Sequence, residues 1–440
     1  MSAAIKVGVI GLGTVGQGVV RLLKNNADEI ARRVGRPLVV THASVRDAGK
    51  ARDCDLSGIT TLADAMQLAR EADVDLLVET VGGISPAREL ILAALARGKS
   101  VVTANKALIA EDGNRVFAAA RASGASVAFE AAVAGGIPVI KAVREGLAGN
   151  RVERLAGIIN GTCNYILTQM QENGTAFDDA LRDAQRLGYA EADPTFDIEG
   201  MDSAHKLAIL ASIAFGTPLD YGSVAVEGIT RVTPQDIQIA QVFGYRIKLL
   251  GIAKRSGKGS EQGIELRVHP TLVPDNTLLA KVDGVLNSVV VRGDAVGEVG
   301  FYGRGAGGDA TASAVVADLI DLARGLGADA RHAVPALAFQ PDAVRALPIV
   351  PSAEVASAFY LRLKVADEPG VLSKLTAILA SHDISVEAIL QREPRGHEDA
   401  NVALITSVIP QHRFDHAVNE MRALPFVRED AARFRVEKFD

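Results

Sequence analysis

The chain of 440 residues has no tryptophan, and its six tyrosines and thirteen phenylalanines leave aromatics at 4%. A core for a chain this long must then be filled by Ala, Val, Leu and Ile, which the 48% hydrophobic content supplies. Cysteine is nearly missing too. Cys54 and Cys163 form no CxxC pair and no disulfide framework, which fits a reducing cytoplasm. Basic residues are not in excess: 47 Lys and Arg face 53 Asp and Glu, a net charge of −6. That balance argues against a nucleic-acid partner. No uninterrupted apolar run reaches membrane-spanning length, and the first residues enter a strand (IKVGVIG) without the charged start of a signal peptide. A soluble cytoplasmic protein of two or three domains is expected.

What is present begins at the first strand. The β-branched run Ile5–Ile10 leads into Gly11-Leu12-Gly13-Thr14-Val15-Gly16 and then into GVVRLL at helical spacing. In that strand-to-helix context G-x-G-x-x-G predicts a dinucleotide site. Gly11 permits the turn, Gly13 lets backbone approach a pyrophosphate, and Gly16 lets helix and strand pack; the turn residues Thr14 and Val15 complete the set. The alternative is a glycine-rich turn without a ligand. Apolar runs at 38–40, 76–78, 101–102 and 127–129 alternate with helical stretches such as PARELILAALARG, which predicts a doubly wound parallel sheet. Ligands meet such sheets at the carboxyl ends of strands, so Thr80 and Lys106 are placed to touch cofactor or substrate. The second strand runs out through Ser44-Val45-Arg46-Asp47. Arg46 and the lack of an earlier acid favour NADP(H), and Asp47 leaves NAD(H) open.

Between Gly188 and Lys206 the chain reads GYAEADPTFDIEGMDSAHK. Five carboxylates (Glu191, Asp193, Asp197, Glu199 and Asp202) precede one lysine, and the apolar run that follows has helical spacing. Asp202 and Lys206 therefore share one helix face. An isolated pair of this kind is an exposed, weak ion pair. In a partly buried pocket the same lysine becomes a proton donor or acceptor of tunable pKa.

Further on come FEAAVAGGIP (129–138), INGTCNYIL (159–167) and GRGAG (303–307) running into TASAVV (311–316). Together with Thr103-Ala104-Asn105-Lys106 and the acidic segment, these motifs resemble homoserine dehydrogenase of the long bacterial type, in order and over essentially the whole chain. The resemblance implies reduction of L-aspartate 4-semialdehyde to L-homoserine with NAD(P)H, on the route to threonine and methionine. It implies Lys206 as the acid/base group, Lys106 between cofactor and substrate, Glu191 on the substrate amine, Asp202 nearby and Asp197 in support. Gly303 matches a backbone contact to the cofactor. Glu130 with the backbone of Val133, Gly135 and Ile137 resembles the family's site for a monovalent cation such as sodium, although VAGGIP also reads as a plain bend entering a helix. One departure is Ala310, where the family often has Pro; a first-turn Pro is dispensable. On chemistry alone, Lys206 or Lys106 suits the alkoxide that forms when an aldehyde accepts hydride, and carboxylates suit an α-ammonium.

Three prolines in 340–358 mark a linker. After it, strand 360–365, the turn Asp367-Glu368-Pro369-Gly370, a helix, strand 384–393, loop 394–400, strand 401–409, a helix and a strand near 434–436 give the ferredoxin-like βαββαβ order. The D-E-P-G-V-L turn resembles an ACT domain. By resemblance the effector is L-threonine, bound near Gly370 at a module–module interface, and the assembly is a homodimer or homotetramer; a structural module without an effector is the alternative. The expected organisation is a Rossmann-type NAD(P)-binding domain at 1–135, an α+β substrate-binding, catalytic and dimerisation domain at 136–340, a linker at 341–358 and an ACT regulatory domain at 359–440. A non-catalytic dinucleotide and amino-acid sensor, or another amino-acid-aldehyde oxidoreductase, is the competing reading.

Overall fold

The computed structural model describes residues 3–47, 49–257, 263–327, 334–392, 399–428 and 431–439. Two compact units interleave along the chain. One comprises Met1–Leu155, His205–Gly222 and Asn287–Ala346; the other comprises Ala156–Ala204, Ser223–Leu286 and Leu347–Asp440.

The first unit is built on a six-stranded parallel sheet. Its strands are β1 (Ile5–Ile10), β2 (Leu38–Ser44), β3 (Thr60–Leu62), β4 (Leu76–Glu79), β5 (Ser100–Thr103) and β6 (Val127–Ala128), in the order β3-β2-β1-β4-β5-β6. The reversal at β1 makes it doubly wound, as the alternation of strands and helices predicts. Strand β1 is buried almost throughout, with Val7 and Val9 fully so, because helices cover both faces of a parallel sheet. Strand β3 escapes sequence reading: it is three residues long and mostly exposed at the sheet edge. Helices Thr14–Asn25 and Gly308–Gly325 pack together, and Val19, Val20, Val315 and Leu319 join one core with Val7 and Val9.

The second unit contains the long antiparallel pair Tyr245–Ser256 and Gly263–Pro274, and beyond it Ala432–Val436, Ala356–Ala366, Asp399–Thr406 and Val386–Arg392 in spatial order. The last four strands, with helices Val371–Ser381 and Gln411–Arg422, complete the ferredoxin-like module. Phe359 stacks on Phe414 at its centre, 4.2 Å between ring centroids. Most of the expected loop at 394–400 lies outside the described residues. The 341–358 stretch holds two short 3-10 turns, and the module's first strand starts within it at Ala356. A buried cluster ties the module to helix Pro234–Val242: Arg362 donates twice to the fully buried Asp236, at 2.6 and 3.1 Å, and Tyr360 donates to it at 3.0 Å. Among the described residues no helix is long and apolar enough to cross a membrane.

Candidate active site

The dinucleotide turn is shaped by contacts within its own few residues and by the end of the neighbouring strand. Gly11 has φ +93°, in the left-handed region that disfavours side chains. A Cβ on Gly16 would lie 2.1 Å from the carbonyl oxygen of Gly11. A Cβ on Gly13 would meet nothing within 4 Å, so only that glycine faces open space. Gly13 precedes helix Thr14–Asn25 and gives it no side-chain cap; the first N–H groups of such a helix are donors suited to an anion. Thr80 sits beside this turn, and its hydroxyl donates to the carbonyl of Gly11 at 2.6 Å.

Two buried groups frame the strand ends, and sequence reading singled out neither for this work. Glu79, fully buried, accepts from the backbone N–H of Val81 and Gly82 and from the Thr103 hydroxyl. Asn105 accepts from Leu108 N–H to start helix Lys106–Ser123 and donates to the Gly83 carbonyl at 2.6 Å. Lys106 is thus the first residue of that helix, half-buried, at the carboxyl end of β5. Arg46 and Asp47 are both exposed just beyond β2, where the Asp47 carboxylate accepts from Gly49 N–H.

The turn expected to hold a cation lies against the GRGAG loop. Ala134 and Gly135 are left-handed in succession, with φ 54° and 41°. A Cβ on Gly135 would lie 2.6 Å from the Gly305 carbonyl, and one on Gly303 would lie 3.3 Å from Ile137. Gly136 N–H donates to the Arg304 carbonyl. The same loop continues to Gly308, where a Cβ would be 2.7 Å from the Thr14 methyl, so residues 303–308 touch both the dinucleotide turn and the 133–137 turn. Ala310 falls in the first turn of the helix that begins at Gly308. The Glu130 carboxylate is buried and accepts from Ile140 and Lys141 N–H, both at 2.8 Å, while its own N–H donates to Asp318. Burial raises the pKa of Glu130, and burial pushes Asp318 up to about 7. The carbonyls of Val133 and Gly135 accept no hydrogen bond among the described residues, whereas that of Ile137 accepts from Val139 N–H. Carbonyl oxygens and a carboxylate are donor types that suit a hard cation, but here Glu130 is already engaged by two N–H groups and the Ile137 carbonyl by Val139.

In the second unit the acidic residues up to Asp202 are held by the NGTCN motif. Asn160 caps helix Gly161–Asn173 by accepting from Cys163 N–H at 2.8 Å. Its amide nitrogen donates to Asp197 at 2.7 Å and to Asp202 at 2.8 Å. The Thr162 hydroxyl donates to the Tyr189 carbonyl, and the Cys163 thiol to the Asp197 carbonyl. Asp202 is buried, Asp197 half-buried and Glu191 exposed, with the Glu191 carbonyl accepting from the Gln185 amide. Asp202 and the half-buried Lys206 are four residues apart on helix Met201–Phe215. Asp193 accepts from Thr195 N–H, a turn role, and Glu199 is exposed.

Comparison with known proteins agrees along the whole chain. Family models match for the homoserine dehydrogenase NAD binding domain at residues 11–130, for homoserine dehydrogenase at 138–320 and for the ACT domain at 359–426. The homoserine dehydrogenase of Pseudomonas aeruginosa is 50% identical over 99% of both chains. A crystal structure of a homoserine dehydrogenase from Thiobacillus denitrificans is 51% identical, covers 100% of this chain and 99% of its own, and superposes with a TM-score of 0.94. A hyperthermophilic archaeal homoserine dehydrogenase in complex with NADPH is 28% identical, covering 73% of this chain and 98% of its own at a TM-score of 0.61. With a nicotinamide-dinucleotide domain, an intact acid–lysine segment and an ACT module, the chain belongs to the homoserine dehydrogenase family, oxidoreductases acting on the CH–OH group of homoserine.

Proposed function

We propose that this chain reduces L-aspartate 4-semialdehyde to L-homoserine with NADP(H) in preference to NAD(H), using Lys206 as the acid/base group. The observation that carries this reading is the acid–lysine segment, where Asp202 is buried one helical turn before Lys206 and shares the Asn160 amide with Asp197. Gly11, Gly13, Thr14, Val15 and Gly16 would hold the pyrophosphate, with Thr80 and Gly303 flanking it and Arg46 on the ribose 2′-phosphate. The relative solved with NADPH supports a dinucleotide there. When bound, the nicotinamide supplies the hydride to the aldehyde carbon. Lys206 then delivers a proton to the alkoxide oxygen, and Lys106 offers a second positive charge beside it. Glu191 binds the α-ammonium, with Asp197 in support.

Glu130 and the carbonyls of Val133, Gly135 and Ile137 are assigned to a sodium-like cation, which would brace the turn under Gly303. L-Threonine is the proposed effector at Gly370, an exposed left-handed turn (φ +90°) with open space where a Cβ would be. The module's edge strand Val386–Arg392 exposes Val386 and Ile389, which suits pairing with a second copy in a homodimer or homotetramer. The two free cysteines suit the cytoplasm. The deciding experiment follows NADPH absorbance with aspartate 4-semialdehyde. Consumption that slows in millimolar threonine is expected; no consumption refutes the reaction, and an unchanged rate in threonine refutes the effector.

A further inference from the structure

The Asn160 side chain makes three hydrogen bonds with one amide. Its oxygen accepts from Cys163 N–H and so caps helix Gly161–Asn173. Its nitrogen has two N–H groups, and each goes to a different carboxylate, Asp197 at 2.7 Å and Asp202 at 2.8 Å. Asn160 is 4% exposed and Asp202 3%, so two carboxyl groups and their shared donor sit in or at the edge of a water-poor region. Two carboxylates brought this close ordinarily repel, and one takes up a proton. An Arg or Lys between them would relieve the repulsion by neutralising the charge. A neutral amide lowers the cost for both ionised groups and adds no charge of its own.

The surroundings fix the amide in place. A Cβ on Gly161 would lie 2.7 Å from the Val285 carbonyl, so the residue after Asn160 has no room for a side chain. Cys163 holds the Asp197 backbone, and Thr162 holds that of Tyr189 at the start of the acidic segment. Asn164, one turn along, donates to the carbonyls of Val282 and Leu286. The motif is therefore a rigid block with one pair of donors aimed at the two acids.

From this we infer that Asn160 is a positioning residue for the reaction: its two N–H groups set the spacing of Asp197 and Asp202 and orient both carboxyl groups for the ammonium-bearing substrate. The inference rests on the functional reading above, in which those acids serve the substrate amine and the lysine.

Two substitutions separate donation from capping. Asn160→Ser keeps an oxygen that caps the helix but cannot supply two N–H groups. Asn160→Asp keeps the cap and points a third carboxylate at the pair. Both are expected to retain NADPH affinity within twofold and to lose at least tenfold in kcat/KM for aspartate 4-semialdehyde, with Tm lowered more in Asn160→Asp, which adds a buried carboxylate. Asn160→Asp should regain part of its activity relative to wild type as pH falls, because protonation removes the third negative charge and restores one of the two donors; Asn160→Ser should show no such recovery. A loss in kcat/KM below tenfold overturns the inference, as does a loss matched by NADPH affinity. If Asn160→Asp fails to fold, Asn160→Ser decides alone. Inactivity of the wild-type protein would instead refute the reaction. The crystal structure of Asn160→Ser then settles the positioning role: displaced carboxylates at Asp197 and Asp202 support it, and unmoved ones overturn it.

Discussion

The dinucleotide turn and the acidic segment are built in opposite ways. The turn at 11–16 is dictated mostly by its own backbone, with Gly16 held against the carbonyl of Gly11, and Thr80 and Gly308 packed beside it from outside. The segment at 188–206 has little regular structure of its own before its helix, and its acids are placed by Asn160, Thr162 and Cys163, 27 to 42 residues away in the chain. A turn made locally leaves a spacing motif in the sequence. A segment held from a distance leaves two motifs whose relation becomes visible only in the fold. Damage to the first should register in folding or cofactor binding, and damage to the second in the chemistry of the substrate.

The largest expected effect tests the second half of that contrast. Lys206→Ala should lower kcat by about 10²–10⁴, the range for losing a general acid, while NADPH affinity stays within twofold. A variant that kept most of its kcat would remove Lys206 from proton transfer and leave the acidic segment with a binding role alone.

Next come the glycines of the turn. Gly16→Ala pushes a methyl into a carbonyl oxygen 2.1 Å away, an overpacking that backbone has to absorb, at a cost of about 2–3 kcal/mol. Gly13→Ala meets no protein atom within 4 Å. It should leave Tm unchanged yet weaken NADPH on the order of tenfold by blocking backbone approach to the phosphates. The two glycines then fail by different routes, one in thermal unfolding and one in cofactor titration. Equal effects on Tm would mean that the turn is not set by its own backbone.

Arg46→Ala is the smaller perturbation of the same region, since the side chain is exposed. Loss of a charge-assisted contact to a 2′-phosphate removes about 1.5–3 kcal/mol, or more than tenfold in NADPH affinity, with NADH changed less than twofold. Equal losses for both cofactors would sink the preference for NADP(H).

The same contrast explains what was legible in the sequence. The parallel sheet apart from its edge strand β3, the dinucleotide turn and the βαββαβ module follow from periodicity and turn residues, because alternating strand and helix patterns are local in the sequence. The pair Tyr245–Ser256 and Gly263–Pro274 did not. Glu265, Arg267 and His269 look like the solvent face of a strand, yet all three are buried, with Arg267 held between Glu265 and Glu437. Charges satisfied by one another can occupy a core, and one sequence read locally cannot show the pairing. Glu79 hides for the same reason: its partners Val81, Gly82 and Thr103 explain its burial only once the strand ends are side by side. Asn160 belongs to this class, since NGTCN was recognisable as a motif without showing what its amide holds.

Asp318 is a further long-range pin in the first unit, hidden like Glu79 until the fold brings its partner to it. Its carboxyl, 1% exposed, accepts from Glu130 N–H, and burial pushes it up to about 7 from an ordinary 3.8. Between those two values the folded protein holds a proton that the unfolded chain has released. Stability from this group is therefore present at low pH and lost as pH rises, by about 1.4 kcal/mol per unit, levelling off once the folded state also ionises. Asp318→Asn keeps an acceptor for Glu130 and cannot ionise. Measured by denaturant unfolding, it should gain on wild type steadily from pH 5 to pH 7 and hold that lead above it. A constant difference across the range would mean that Asp318 is ionised throughout in the folded protein. Lys141 and Arg144, whose charges favour the ionised form, would then outweigh its burial, and the pin beneath Glu130 would be an anion.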